Sequence, residues 1–170
     1  MIPRNALAMT LAVACGWTML GAAPTRPFAE VKPCANKNLF KLPVVQVVTE
    51  AEVLYLAVAS TEKDRELGLQ CVTSLLPNTG MLFVFDTDEH RDFWMKNTLI
   101  PLDIIWVHAN GKADAVARNV PPSYLGAPEE DVPRRFGVGK YVIEIQAGEA
   151  RLDNIHPFGL IKIPKGLKAH

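Results

Sequence analysis

What this chain lacks narrows its function before any motif is weighed. It has no charge excess: 18 Lys plus Arg face 18 Asp plus Glu in 170 residues. Phosphate neutralisation dominates nucleic-acid affinity and needs a basic surplus, so a nucleic-acid partner is not expected. There is no G-x-S-x-G elbow, no H-E-x-x-H, no C-x-x-C and no G-x-x-x-x-G-K-[ST]. These absences remove the serine-hydrolase, zinc-protease, dithiol and P-loop readings. The four histidines, at 90, 108, 156 and 170, lack ligand spacing. Asp86-Thr87-Asp88-Glu89-His90 begins like a calcium loop, but His90 stands at the third ligand and Arg91 where the turn needs Gly. A solvated acidic turn is the expectation there, with no metal and no cofactor.

Cysteine is scarce, and its placement bears on compartment. Arg4 is the only charge before Arg26, and Ala6 to Ala23 is an uncharged apolar run ending in Gly21-Ala22-Ala23. A basic start, an apolar middle and small residues at the end match a secretory signal peptide over residues 1–23. An uncleaved anchor and a lipoprotein attached through Cys15 are the alternatives. All three place the following domain outside the cytoplasm, periplasmic or in the cell envelope, with membrane contact only through a retained or lipidated leader. Cys34 and Cys71 then remain, and an oxidising compartment invites a disulfide between them. Such a bridge would stabilise by roughly 4 kcal/mol on the loop-entropy argument, as an upper value. Two unpaired thiols are the alternative.

Past the leader, residues 24–43 carry four prolines without apolar periodicity and read as a linker. A single globular domain over 44–165 and a tail at 166–170 complete the division. Val44 to Thr49 and Val53 to Ser60 are β-branched and aliphatic runs, expected as two strands. Thr61 can cap a helix whose first turn holds Glu62 and Asp64, running to about Cys71 unless Gly68 ends it. Met81 to Phe85 should be a buried strand, followed by a polar loop over 86–92. Leu102 to Ala109 and Lys112 to Arg118 flank Asn110-Gly111, a strong hairpin signal. Residues 119–140 read as a long Pro/Gly loop, and Tyr141 to Gln146 and Leu160 to Ile163 as the last two strands. About seven short strands and one clear helix give an α+β domain, mainly β, compact, mostly antiparallel and barrel-like.

One segment interleaves polar with strongly apolar residues: Trp94-Met95-Lys96-Asn97-Thr98-Leu99-Ile100-Pro101-Leu102-Asp103. If 93–98 is extended, Trp94, Lys96 and Thr98 share one face and Met95 and Asn97 the other. Asp103 opens an otherwise apolar run, where a carboxylate needs a partner or a raised pKa. Glu144 is a second carboxylate inside an apolar strand. Three readings follow. Trp94, Lys96, Asn97 and Asp103 grip a ligand, an unknown small molecule, glycan or envelope protein. Asp103 and Glu144 form the acid–base pair of a small hydrolase or lyase. Asp103 clamps the bend at Pro101, in a purely structural protein. A non-catalytic envelope binding module is the leading expectation.

These residues also carry a resemblance. Arg65-Glu66-Leu67-Gly68-Leu69, Gly80-Met81-Leu82-Phe83-Val84-Phe85, the block Phe93 to Ile105, and Tyr141 to Gly148 occur in this order and span roughly residues 53–163. In them the chain resembles the bacterial and archaeal family called domain of unknown function 192. The resemblance implies a compact β-rich fold and frequent export, and supplies no activity, substrate or cofactor. Gln70-Cys71-Val72 and His156-Pro157-Phe158-Gly159 depart from the family's usual pattern.

Overall fold

A computed structural model describes residues 34, 36 and 38–170; the expected signal peptide and most of the linker lie outside the described residues. Six strands form one mixed sheet: β1 (Val44–Val48), β2 (Val53–Ala59), β3 (Thr79–Trp94), β4 (Leu102–Val107), β5 (Ala113–Val120) and β6 (Arg134–Gln146). Their spatial order is β1-β2-β3-β6-β4-β5. Two short helices accompany them, α1 (Glu62–Leu67) between β2 and β3, and α2 (Glu149–Leu152) after β6. The domain is therefore mainly β, as the strand-rich pattern implies. All neighbouring strands run antiparallel except β2 and β3, which α1 connects as a parallel crossover.

The sheet does not close into a barrel, which corrects the barrel-like expectation. β1 and β5 remain its two edges, and no ladder joins them. The residues expected as a seventh strand make only two isolated bridges, Val48 with Lys162 and Lys112 with Leu160. This C-terminal strap touches the last residue of β1 and the residue before β5. Closure would demand a continuous staggered ladder, and a segment with Gly159 and Pro164 at its ends supplies only those two bridges.

Three boundaries differ from expectation for identifiable reasons. α1 has its Thr61 cap, whose side chain accepts from the Asp64 N–H at 3.1 Å. It stops at Leu67 because Gly68 adopts φ +48°, a left-handed value that ends the helix. The polar stretch 86–92 is not a loop but part of the outer half of β3, which pairs with the 13-residue β6. Between Val84 and Glu89 the register shifts, and Asp88 at this bulge accepts the Lys140 N–H at 2.7 Å and the Ala109 N–H at 3.0 Å. β6 in turn begins at Arg134 rather than Tyr141, so the long loop shrinks to 121–133. Its glycines hide it from propensity arguments yet are required by packing: a Cβ on Gly137 would sit 2.6 Å from the Trp106 ring.

Both faces of the sheet are buried. One carries Leu54, Leu56, Leu82, Ile105, Ile143 and Ile145, covered by Ala150, Ile155 and Ile161. The other carries Met81, Phe83, Ile104, Trp106 and Val142, covered by Leu69, Met95, Ile100 and Val132. The central strands thus read as near-continuous apolar runs, and β4 is buried at all six positions. Asp103 and Glu144 stand out as charged interruptions of this centre.

Candidate functional site

Asp103 lies in β4 with no exposed surface. Across β5 the register slips between Leu102 and Ile104, so a bulge containing Asn119 at φ +49° faces it. Its Oδ1 accepts the Asn119 N–H at 2.7 Å. Its Oδ2 accepts the N–H groups of Gly148 at 2.9 Å and Ala150 at 3.0 Å, where β6 turns into α2. Three backbone donors therefore satisfy the carboxylate, and none of its surface is open to a ligand. Asp103 joins β4, β5 and α2; the ligand-gripping assignment does not fit this geometry.

Glu144 is placed differently. It sits opposite Ile104 in β4 and Met81 in β3, whereas Asp103 sits opposite Ile145. The two carboxyls consequently project from opposite faces of the sheet. No substrate can touch both, so the acid–base pairing is withdrawn. The pair was legible as two carboxylates in apolar strands, but their faces depend on register, which slips with one residue.

On its own face Glu144 forms part of the wall of a narrow cleft with room for about 30 Å³, with Arg65, Glu66, Leu69, Gln70, Phe83, Phe93, Trp94, Lys96 and Thr98 around it. The residue is 5% exposed. Burial pushes its pKa up to about 8, so it is mostly a neutral acid at pH 7. A buried acid held neutral in a cleft is the arrangement from which binding and proton-handling sites are built.

The rest of the expected set divides. Residues 93–98 are not extended: β3 ends at Trp94, and the Thr98 N–H donates to the Met95 carbonyl at 3.0 Å, closing a turn with Asn97 at φ +52°. The turn nonetheless leaves Trp94, Lys96 and Thr98 around one cleft while Met95 is fully buried. The Lys96 ammonium lies 4.6 Å from the Trp94 ring centre, and the Arg134 guanidinium lies 5.1 Å from it. Asn97 is a fastener instead. Its amide donates to Gln70 Oε1 at 3.2 Å, its Oδ1 accepts the Gly126 N–H at 3.3 Å, and its carbonyl accepts the Cys71 N–H at 2.9 Å.

Arg65 and Phe93 line the cleft without having been expected as site residues. In the sequence both stand only within the blocks that carry the family resemblance. In the structure the Arg65 Nη1 donates to the carbonyls of Ser60 and, at 3.0 Å, Val84, while the guanidinium lies 5.1 Å from the Phe85 ring centre. Cys34 and Cys71 are joined as a disulfide, with Cα atoms 5.4 Å apart. This fixes the end of the leader beside the cleft, where Asn36 donates to the Gly68 carbonyl at 2.8 Å. Among the described residues no group of three or more His, Cys, Asp or Glu is arranged to hold a metal ion.

Two outcomes test these placements. Asp103→Ala strands three buried N–H groups, so urea unfolding should show a loss of roughly 3 kcal/mol; a loss below about 1 kcal/mol would refute the clamp. Glu144 has its folded pKa raised above the unfolded value, so it binds a proton in the native state that the unfolded chain releases between about pH 4.5 and 8. Its contribution is therefore full below that window and falls as pH rises through it. Glu144→Gln should gain stability relative to the parent between pH 5 and pH 8, on the order of a few kcal/mol. The difference between the two proteins is what counts, because burial also raises the pKa values of Glu149 and Asp153, and these remain in both. Parallel stability–pH curves would mean that Glu144 is not a buried neutral acid.

Comparison with known proteins adds family but no activity. No curated protein matches the chain. Among solved structures, it is similar to a protein from Sinorhizobium meliloti 1021 provisionally assigned as a transcription regulator, with TM-score 0.59 and 25% identity over 70% of this chain and 91% of that one. It is similar also to a protein of unknown function from Novosphingobium aromaticivorans DSM 12444, with TM-score 0.61 and 25% identity over 79% and 94% of the two chains. The family model for domain of unknown function 192, described as an uncharacterized ACR, matches residues 44–162, from the first strand to the C-terminal strap. With that match spanning every strand of the sheet, the chain belongs to the family domain of unknown function 192.

Proposed function

We propose that this protein is an exported, non-catalytic binding module of the cell envelope whose ligand seats in the cleft between α1 and the turn after β3. The observation that carries this reading is the carboxyl of Glu144, which is buried at the edge of the cleft and held largely neutral there by burial. An acid whose pKa is perturbed in a cleft is a common feature of binding sites. The aromatic rings of Phe93 and Trp94 beside it supply apolar contact area, as ligand sites commonly do.

Catalysis is the weaker reading, because Asp103, the other buried strand carboxylate among the described residues, faces away and is engaged by three backbone donors. A purely structural role leaves the cleft beside Trp94 without a purpose. Export rests on the basic start and apolar run of the first 23 residues, together with a cysteine pair suited to an oxidising compartment.

Two measurements follow. A panel of small acids, amines and sugars, titrated into the isotope-labelled protein as exported, should perturb amide resonances centred on Leu69, Phe93, Trp94 and Thr98. Perturbations centred instead on Asn119 and Gly148, across the sheet, or none at all, would defeat the reading. Expressed with its own leader in a bacterium, the protein should appear in the envelope fraction; intact-mass measurement then reads a cut at Ala23, a retained leader or a lipid on Cys15. Recovery of the unmodified full chain from the cytoplasm would contradict export.

A further inference from the structure

β3 is 16 residues long, and only its inner part has a strand on both sides. β2 pairs with it as far as Phe83, and the chain then turns off into α1. Beyond that point β6 is the one strand of the sheet beside β3. At the first vacated position the Val84 carbonyl accepts from Arg65 Nη1 at 3.0 Å. Further along, the Met95 N–H donates to the Pro133 carbonyl at 2.9 Å, in the register that sets Phe93 opposite Arg135 and Arg91 opposite Gly137. Bonded and non-bonded pairs alternate along an antiparallel ladder. His90, Asp92 and Trp94 consequently turn their N–H and C=O groups away from β6, to a side where no strand among the described residues lies. An edge left open in this way is a template for a further strand.

This edge borders a groove with room for about 510 Å³, against about 30 Å³ in the narrow cleft next to it. Arg91, Asp92, Phe93 and Trp94 all line the groove. Successive side chains of a strand point to opposite faces, so four consecutive residues on one groove mark a strand met edge-on. The α1 wall supplies Glu62 and Glu66, one helical turn apart on one helix face. Both are exposed, and neither has an ion-pair partner among the described residues. The cations of the groove are already engaged. Arg91 donates from Nη2 to the Thr87 carbonyl at 3.0 Å, and its Nη1 lies 3.5 Å from Glu89. The guanidiniums of Arg65 and Arg91 rest on the Phe85 ring, 5.1 and 4.1 Å from its centre. Asp92 is paired with Arg134 at 2.7 Å. The groove thus keeps a row of free backbone groups and two free carboxylates.

From this arrangement we propose that the groove takes an extended polypeptide segment bearing basic side chains, added to β3 as a further strand along His90–Trp94. In strand addition the main-chain bonds supply affinity and alternate side chains supply specificity. Charge selects the partner. Glu62 and Glu66 attract Lys or Arg and repel an acidic segment, and the exposed Asp86 and Glu89 on the same stretch of β3 add to that sign. The same acidity opposes edge-to-edge pairing of two copies of this chain. Phe93 and Trp94 give apolar side chains of the segment a surface to pack on. The surface adjoins the narrow cleft but does not depend on the reading of that cleft.

Acetylated seven-residue peptides alternating Lys with Val, added to the isotope-labelled protein as exported, test this. Amide exchange at His90, Asp92 and Trp94 should slow, because these N–H groups then gain partners. A peptide with Glu in place of Lys should bind about tenfold more weakly, and added salt should weaken the Lys peptide. Two further forms carry backbone N-methyl groups at every Lys or at every Val. One should lose about tenfold in affinity and the other keep it, because alternate N–H groups of a strand face one neighbour. Glu62→Gln combined with Glu66→Gln, both exposed positions, should weaken the Lys peptide about fivefold. If both methylated forms bind like the parent, strand addition is wrong. If the Glu peptide binds equally well, the basic assignment falls. Dimerisation that protects the same amides would make a second copy the occupant and overturn the proposal. Slowed exchange at Val44 and Gln46 on the outer edge of β1, or nowhere, would rule out the groove. None of these failures touches the cleft, whose own ligand panel reads Leu69 and Thr98.

Discussion

Burial of both faces of the central strands governs the rest of this structure. β6 pairs with β3 on one side and β4 on the other, and side chains from either face lie under covering segments. In such a centre a polar group must find a partner or change its charge state. The two carboxylates there meet that demand in opposite ways. Asp103 is surrounded by three backbone donors from β5 and the start of α2 and serves as a joint. Glu144 has no such donors and is held largely neutral.

The joint explains why the sheet tolerates its irregular connections. The bulge in β5 and the abrupt turn from β6 into α2 each direct N–H groups inward, away from ordinary ladder partners. A single aspartate collects these donors. The opposite face is organised by loops rather than by one residue. Asn97 ties the turn after β3 to Gln70 and to the loop at Gly126, and the Cys34–Cys71 disulfide secures the leader's end to the same corner. These fasteners hold the walls of the cleft in which Glu144 lies, so the site's shape derives from segments distant in sequence.

Much of the fold was legible in local pattern. The Val-rich hairpin, the Thr61 cap and the Asn110-Gly111 turn each follow from short-range chemistry and stand in the structure as such. The misread elements share one cause. The outer half of β3 is acidic and the start of β6 is glycine-rich, so neither resembles a strand alone; each is a strand because the other lies beside it. The same holds for the site. Trp94, Lys96 and Glu144 were visible as unusual residues, whereas Arg65 joined them only through the parallel crossover that carries α1, and Phe93 through the extension of β3 along β6.

The sequence alone determined that this is a mainly β domain with two carboxylates in greasy strands, because burial patterns and capping chemistry are written in neighbouring residues. Tertiary structure alone decided what those carboxylates are. Each takes its face from strand register and its charge state from the donors that other strands, bulges and turns bring to it, and neither quantity is encoded within a few residues of the acid itself.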